Sequence, residues 1–314
     1  MTLPVTKASE ISTESHKPRW LIQDLWLDGG VGFIGGEPKT CKTFMTLEMA
    51  VAVSSGKPCL RHYEVKKTGS VLVFSAEDSL EIVKRRLSAI CKISGVELSA
   101  CDINLITSPV LRIDLPEYRD SLTKTIEQYK PVLLVLDPFI RLHRIDENLS
   151  SEVSPILAYL RALQRTFNLS ITIVHHARKR CGNSRAGQSL RGSSEFHAWY
   201  DSHLYLSRLG QDMLRMDVEH RSEPSKENIP IKIGVVDESV YLEPTEIPSE
   251  EEVPESLPLS DQIVSFLEGH NTAQSLNSIR EFCKARKVTV SQELSKLISL
   301  GVIKRIDFGY VLAG

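Results

Sequence analysis

Lys42, Thr43, Glu77, Asp137, His175 and His176 are the side chains whose types and positions could do chemistry together. Residues 36–43 read G-E-P-K-T-C-K-T. They follow the phosphate-loop pattern G-x-x-x-x-G-K-[ST] at every position but one, Cys41 standing where the second glycine is expected. In such a loop, successive backbone N–H groups and a helix N-terminus converge on an anion. The lysine then reaches the outer phosphates of a triphosphate, and the hydroxyl ligands Mg²⁺. Lys42 and Thr43 are so placed here, and Gly36, Glu37, Pro38, Lys39, Thr40, Cys41 and Phe44 complete the nucleotide-binding stretch. Cysteine is small, so the backbone can still approach a phosphate, at some expense in affinity.

The other candidates sit at the ends of apolar runs. Asp137 closes the run 132–136 and is placed to hold Mg²⁺ through water; a turn or helix-capping aspartate is the plainer alternative. Glu77 follows the run 71–74, where it would polarise an attacking water, unless Glu77 or Asp78 merely caps the next helix. His175 and His176 end the run 171–174, and either one could sense a γ-phosphate while the other packs in the core. The segment beyond them carries Arg178, Lys179, Arg180, Arg185 and Arg191 with no acidic residue. Such a segment suits contact with the phosphate backbone of DNA, and a solvated loop is the alternative.

These groups need a scaffold that brings strand ends together. Uninterrupted apolar runs alternate with amphipathic segments from residue 31 to residue 174, which predicts an α/β fold with a mostly parallel sheet covered on both faces. Sheets of this kind bind their ligand at the carboxyl ends of the strands, where all the candidates fall. Val83, Leu87 and Ile90 mark one covering helix, residues 118–129 a second, and Leu157, Leu160 and Leu163 a third. That third helix is expected to be capped by Ser151 or Ser154, with Pro155 in its first turn. Runs at 204–206, 213–218 and 231–242 read as closing strands, partly antiparallel, and 104–106 as a short strand.

Residues 1–19 read as a polar leader and 20–242 as the core. Residues 243–258 hold six Glu and four Pro in sixteen positions, too little apolar surface to fold, and so form a linker. Residues 259–314 give three helical segments and a hairpin, the winged helix-turn-helix pattern. Its third helix is expected to turn Leu294, Leu297 and Ile298 inward and Ser291, Gln292, Ser295 and Lys296 outward toward DNA. Seven basic against five acidic residues make this domain only weakly basic, so a protein-binding role competes.

A net charge of -2 excludes a protein that grips nucleic acid with its whole surface. Six cysteines without C-x-x-C spacing argue against a zinc site or a disulfide framework, and for a reducing, cytoplasmic compartment. No apolar run approaches membrane-spanning length, and no secretory signal is expected.

The core resembles the RecA-like ATPases of the plasmid RepA type, relatives of hexameric replicative helicases and of KaiC-like ATPases. The resemblance rests on W-L-I-Q-D-L-W, G-G-E-P-K-T-C-K-T, F-S-A-E-D-S, L-L-V-L-D-P, D-E-N, V-H-H-A-R-K and L-R-G-S-S-E in this order. It implies that Lys42 and Thr43 bind ATP and Mg²⁺, that Glu77 is the catalytic base and that Asp137 holds the metal. It implies too a homo-oligomeric ring, hexameric in the family, with single-stranded DNA in its centre and duplex DNA at the winged helix. An arginine from a neighbouring subunit completes each family site, and Arg221, in V-E-H-R-S-E, stands at the matching place although His220 departs from the family motif. A DNA helicase is the function this implies. An ATP-switched DNA-binding regulator with slow hydrolysis is the second expectation, and an interaction scaffold without nucleotide binding the third.

Overall fold

The computed structural model describes residues 3–10, 20–176, 195–210, 212–246, 259–270, 273–283, 287–306 and 309–313. The chain divides into two compact units, Met1–Thr245 and Glu246–Gly314.

The first unit opens with a small hairpin, β1 (Trp20–Ile22) and β2 (Trp26–Leu27), which buries Leu21, Ile22, Leu25 and Trp26. The alternation then runs β3 (Val31–Gly36), α1 (Lys42–Ser55), β4 (Val71–Ser75), α2 (Leu80–Ile93), β5 (Ile103–Leu105), α3 (Pro116–Tyr129), β6 (Leu133–Asp137), α4 (Ser150–Phe167) and β7 (Ser170–His176). After α5 (Glu195–Trp199) come β8 (Ser202–Arg208), β9 (Met213–His220), β10 (Lys226–Val236) and β11 (Ser239–Pro244). Among the described residues the sheet has nine strands in the order β11-β10-β9-β8-β3-β7-β6-β4-β5. Strands β5, β4, β6, β7, β3 and β8 run parallel, and β9, β10 and β11 extend the sheet antiparallel.

Strand side chains alternate between the faces, so each apolar run feeds two cores. Val71, Val73, Leu133 and Val135 pack beneath α1 and α2, while Leu72, Phe74, Leu134 and Leu136 pack against α3 and α4. Each fully buried aliphatic or aromatic side chain contributes about 2 kcal/mol relative to exposure. The expected α/β fold with a mostly parallel sheet is present.

Three local expectations differ. α4 starts at Ser150, so Ser151 and Ser154 lie inside it and Pro155 falls in the second turn. Its entrance is made instead by Asp146, whose carboxylate accepts from the Asn148 N–H at 2.9 Å while its own N–H donates to Glu152 at 2.8 Å. The run 231–242 is two strands, because Asp237 and Glu238 both take positive φ (47° and 58°) and reverse the chain. β11 also takes in Glu243 and Pro244, so the first two residues expected in the linker belong to the sheet.

The second unit holds α6 (Leu259–Glu268), α7 (Leu276–Phe282), α8 (Lys287–Ser299) and a ribbon of β12 (Ile303–Ile306) with β13 (Gly309–Leu312). Ile263, Leu267, Ile279, Val290, Leu294, Leu297 and Ile303 form its core. Ile298, expected to face inward, is exposed; Val290, two turns before Leu297, takes that place. Among the described residues no helix is long and apolar enough to cross a membrane.

Candidate functional site

β3 lies at the centre of the sheet, between β7 and β8, and its carboxyl end opens into the loop that leads to α1. Gly36 must be glycine: at φ 154° an added Cβ would stand 2.3 Å from the Leu206 carbonyl oxygen on β8 and 2.8 Å from Thr40 Oγ1. Thr40 closes the loop by donating to the Glu37 carbonyl at 2.8 Å. Arg208, at the end of β8, donates to the Lys39 carbonyl at 2.8 Å and ties the loop to its neighbour strand. Lys39 and Cys41 both take left-handed conformations, with φ of 64° and 59°. The pattern puts glycine at position 41 for this reason, and an L-residue held there carries about 1–2 kcal/mol of strain. Cys41 thus keeps the backbone path of the loop and bears its cost.

α1 begins at Lys42 and has no acidic residue in its first turn, so nothing competes with an anion for its N-terminus. Lys42 Nζ donates to the carbonyls of Gly36 (3.0 Å) and Glu37 (2.6 Å). Burial pulls its pKa down to about 8 against the opposing pull of Asp137, Cys41, Glu77 and Glu37. A buried ammonium resting on two carbonyls is poised to exchange them for phosphate oxygens.

Asp137 ends β6, is 6% exposed and shares a hydrogen bond with the Thr43 side chain. Burial pushes its carboxyl up to about 6, the Thr43 bond opposing and the nearby Asp78 and Glu77 carboxylates assisting. Thr43 and Asp137 therefore offer a hydroxyl and a carboxylate side by side. Among the described residues no three His, Cys, Asp or Glu side chains form a cluster that could hold a metal alone. A pair of hard oxygen donors beside an anion cradle fits Mg²⁺, which keeps waters and shares phosphate oxygens rather than taking an all-protein cage.

Glu77 lies at the rim of the same cleft and accepts from Arg141 Nε at 3.2 Å. Both side chains are about half exposed, so this ion pair holds Glu77 weakly. Neither Glu77 nor Asp78 caps α2; Ser79 does, accepting from the Ile82 N–H. Asp78 instead pairs with Arg86, whose guanidinium lies 4.7 Å from the centre of the Phe44 ring. The cleft has a volume of about 380 Å³ and runs from the loop past Glu77, Asp137 and Val174 to His176.

The two histidines separate by strand alternation. His176 lines the cleft, and burial together with the Lys42 charge lowers its pKa. His175 points through the other face, where its ring lies among Phe33, Phe139 and Phe196 and Nε2 sits 3.1 Å from Glu147. The expectation that His175 belongs to the site is corrected: it is a core histidine on a carboxylate. Arg221 follows β9, donates to the Ala198 carbonyl and lies 3.7 Å from Asp201, which accepts from the N–H of Val31. That is the opposite end of β3, about 16 Å from Gly36 at strand rise, so Arg221 does not reach the cleft of its own chain.

Arg178, Lys179, Arg180, Arg185 and Arg191 lie outside the described residues. Ser291, Gln292, Ser295 and Lys296 are exposed along one side of α8, with Ser295 donating to the Ser291 carbonyl and Lys296 paired to Glu293 at 3.3 Å. Arg86, Arg141 and Arg208 escaped the sequence reading. Arg208 in particular becomes visible only once β8 is known to flank β3.

The AAA_25 family model, described as an AAA domain, matches residues 1–182. Among solved structures, one described as an ATPase domain superposes with a TM-score of 0.52 at 16% identity, over 65% of this chain and 81% of that one. A DnaB-like replicative helicase, solved in a study of its interactions with primase, gives 0.54 at 16% identity, over 68% of this chain and 57% of that one. The RadB recombinase gives 0.50 at 18% identity, over 70% and 92%. At these identities the likeness is one of fold: an α/β core with a mostly parallel sheet. Every side chain that lines the cleft falls within the matched residues, and the chain belongs to the AAA domain family.

Proposed function

We propose that this chain is a Mg²⁺-dependent ATPase acting on DNA, a ring-forming helicase of the RepA replicative type. One observation carries the proposal: Lys42, Thr43, Glu77, Asp137 and His176 converge on a single cleft at the foot of the central strand. The backbone of residues 36–41 and the start of α1 cradle the β-phosphate, and Lys42 leaves its two carbonyls for the β- and γ-oxygens. Thr43 and Asp137 would hold Mg²⁺, which would supply positive charge against the phosphates. Glu77 swings from Arg141 to take a proton from the attacking water, a role worth about 10²- to 10⁴-fold in rate. His176 bonds the γ-phosphate and links its presence to residues 178–191, whose Arg178, Lys179, Arg180, Arg185 and Arg191 contact single-stranded DNA.

Arg221, remote from its own cleft, serves a neighbouring subunit's site, which makes the active unit a homo-oligomeric ring, hexameric by the family's habit. The likeness of fold to a DnaB-like replicative helicase supports this reading. The 259–314 unit, three helices and a ribbon, acts as a winged helix that selects duplex DNA through Ser291, Gln292, Ser295 and Lys296. A second reading, an ATP-switched regulator with slow turnover, draws on the left-handed strain at Cys41.

Steady-state ATP hydrolysis with and without single-stranded DNA, in the wild type and in Lys42→Ala, tests the proposal. Stimulation by single strands that vanishes in Lys42→Ala supports the motor. Slow hydrolysis indifferent to DNA but lost in Lys42→Ala moves the assignment to the regulator, and wild-type protein without nucleotide-dependent signal removes both.

A further inference from the structure

Away from the nucleotide cleft, the fold brings together two cysteines whose sequence spacing gives no hint of pairing. Cys91 lies in the last turn of α2, and Cys101 ends the 3-10 turn Leu98–Ala100 that follows. The chain doubles back because Ser94 and Gly95 end the helix, Gly95 at φ 66°, and the Val96 N–H returns to the Cys91 carbonyl at 3.0 Å. The Cys101 N–H then donates to the Leu98 carbonyl at 3.1 Å. The result is a Cys91 Sγ to Cys101 Sγ separation of 3.9 Å.

Each cysteine borders a cleft, Cys91 as a buried residue and Cys101 as a partly exposed one. Cys101, half-buried, walls a cleft of about 460 Å³ with Leu80, Lys84, Leu98 and Leu105. Cys91 walls a second one of about 450 Å³ beside Lys92 and Glu97. Each cleft carries a lysine beside a glutamate, Lys84 with Glu81 and Lys92 with Glu97. The two thiols are not equal. Burial, and then the neighbouring Cys101 sulfur, push the Cys91 thiol up to about 12, so the half-exposed Cys101 is the sulfur that meets a reagent first.

We propose that Cys91 and Cys101 form a dithiol site that a low-molecular-weight disulfide of the glutathione class oxidises to an intramolecular disulfide. The Cys101 thiolate attacks one sulfur of glutathione disulfide, forming the mixed disulfide and releasing one glutathione thiolate. Cys91 loses its proton to solvent and attacks the Cys101 sulfur, and the second glutathione thiolate leaves. Two protein thiols are oxidised and one glutathione disulfide is reduced to two glutathione thiols. Bond formation must close the 3.9 Å separation to the 2.03–2.05 Å of an S–S bond. The bond would fasten the end of α2 to the segment leading into β5, the parallel edge of the sheet.

Trypsin cuts after Lys92 and so places Cys91 and Cys101 on different peptides. The full chain is incubated with glutathione disulfide at low protein concentration, quenched with iodoacetamide under denaturing conditions, digested without reductant and analysed by mass spectrometry. The expected result is a linked pair of the 87–92 and 93–112 peptides, two hydrogens lighter than their sum, that separates on reduction. Cys91→Ser should instead accumulate a lasting glutathione adduct on Cys101, because the resolving thiol is gone. Wild-type peptides that stay separate, with Cys101 either free or glutathionylated, overturn the proposal. A linkage found only between chains on a non-reducing gel overturns it as well.

Discussion

Arg61→Ala would strand a carboxylate in the core beneath the phosphate loop. Glu48, in the middle of α1, is 2% exposed at its side chain and receives both guanidinium nitrogens of Arg61 at 3.2 Å. The Leu242 N–H on β11 donates to Glu48 at 3.3 Å, and Arg61 donates to the Leu242 carbonyl, so one cluster clamps α1 to the edge strand. Breaking a buried ion pair from one side costs about 3–5 kcal/mol. Arg61 is 20% exposed, so water can reach part of the space it leaves, and a loss of roughly 3 kcal/mol is expected. For a unit of this size that lowers Tm by about 6–12 °C. The loss should depend on pH with a defined sign. Burial already raises the Glu48 pKa above its usual 4.5, and removal of Arg61 raises it further. A carboxyl with a raised folded-state pKa is stabilising while protonated in both states, and that contribution is lost as pH rises through the folded value. Arg61→Ala should therefore lie nearer the wild type at pH 5 than at pH 8, and Glu48→Gln in the same background should recover much of the loss. Differential scanning fluorimetry at the two pH values, with the double-mutant cycle, decides it. A single-mutant Tm within 2 °C of wild type at pH 8, or a deficit that shrinks as pH rises, would refute the reasoning.

Gly36→Ala should cost about 2 kcal/mol, since its Cβ must displace the Leu206 carbonyl, and should abolish the Tm increase expected of the wild type with ATP and Mg²⁺. His176→Asn should lower the rate of hydrolysis with little change in Tm, whereas His175→Asn should lower Tm by several degrees because it opens the cluster of Phe33, Phe139 and Phe196; equal effects on both readouts would contradict the division between them. Lys42 titrates at about 8 when its charge rests on two carbonyls, so the unfolded chain holds more protons than the folded one between about pH 8 and 10.5. A bound triphosphate restores the charge, and calorimetry at pH 8.5 in buffers of different ionisation enthalpy should record net proton uptake that fades at pH 7. Proton release at pH 8.5 would sink this account of Lys42.

The sequence displays most of the cleft because its parts are local. An eight-residue loop, an aspartate at the end of an apolar run and a pair of histidines after another are visible without the fold. What stayed hidden is what long-range pairing decides. Which of His175 and His176 faces the cleft depends on the register of β7 against β3, where Gly35 lies opposite His175 and Gly36 opposite His176. The reversal at Asp237 and Glu238 went unseen because neither position carries the glycine that most often marks a two-residue hairpin turn. Cys91 and Cys101 look unrelated in the sequence, and a helix end with a tight return places their sulfurs in contact.

The central place of β3 also sets an order of events during synthesis. Its partners β7 and β8 lie some 140 and 170 residues further along the chain, as the pairings of Val31 with Ile171 and of Gly32 with Ser202 record. Such non-local contacts carry a large loop-closure entropy and form late. A nascent chain that has emerged only through α4 contains residues 36–43 and Asp137 but no walls for β3 to stand between. Chains released before β7 leaves the ribosome would carry the full motif and no cradle, while exposing two edges of an unpaired apolar strand to their neighbours.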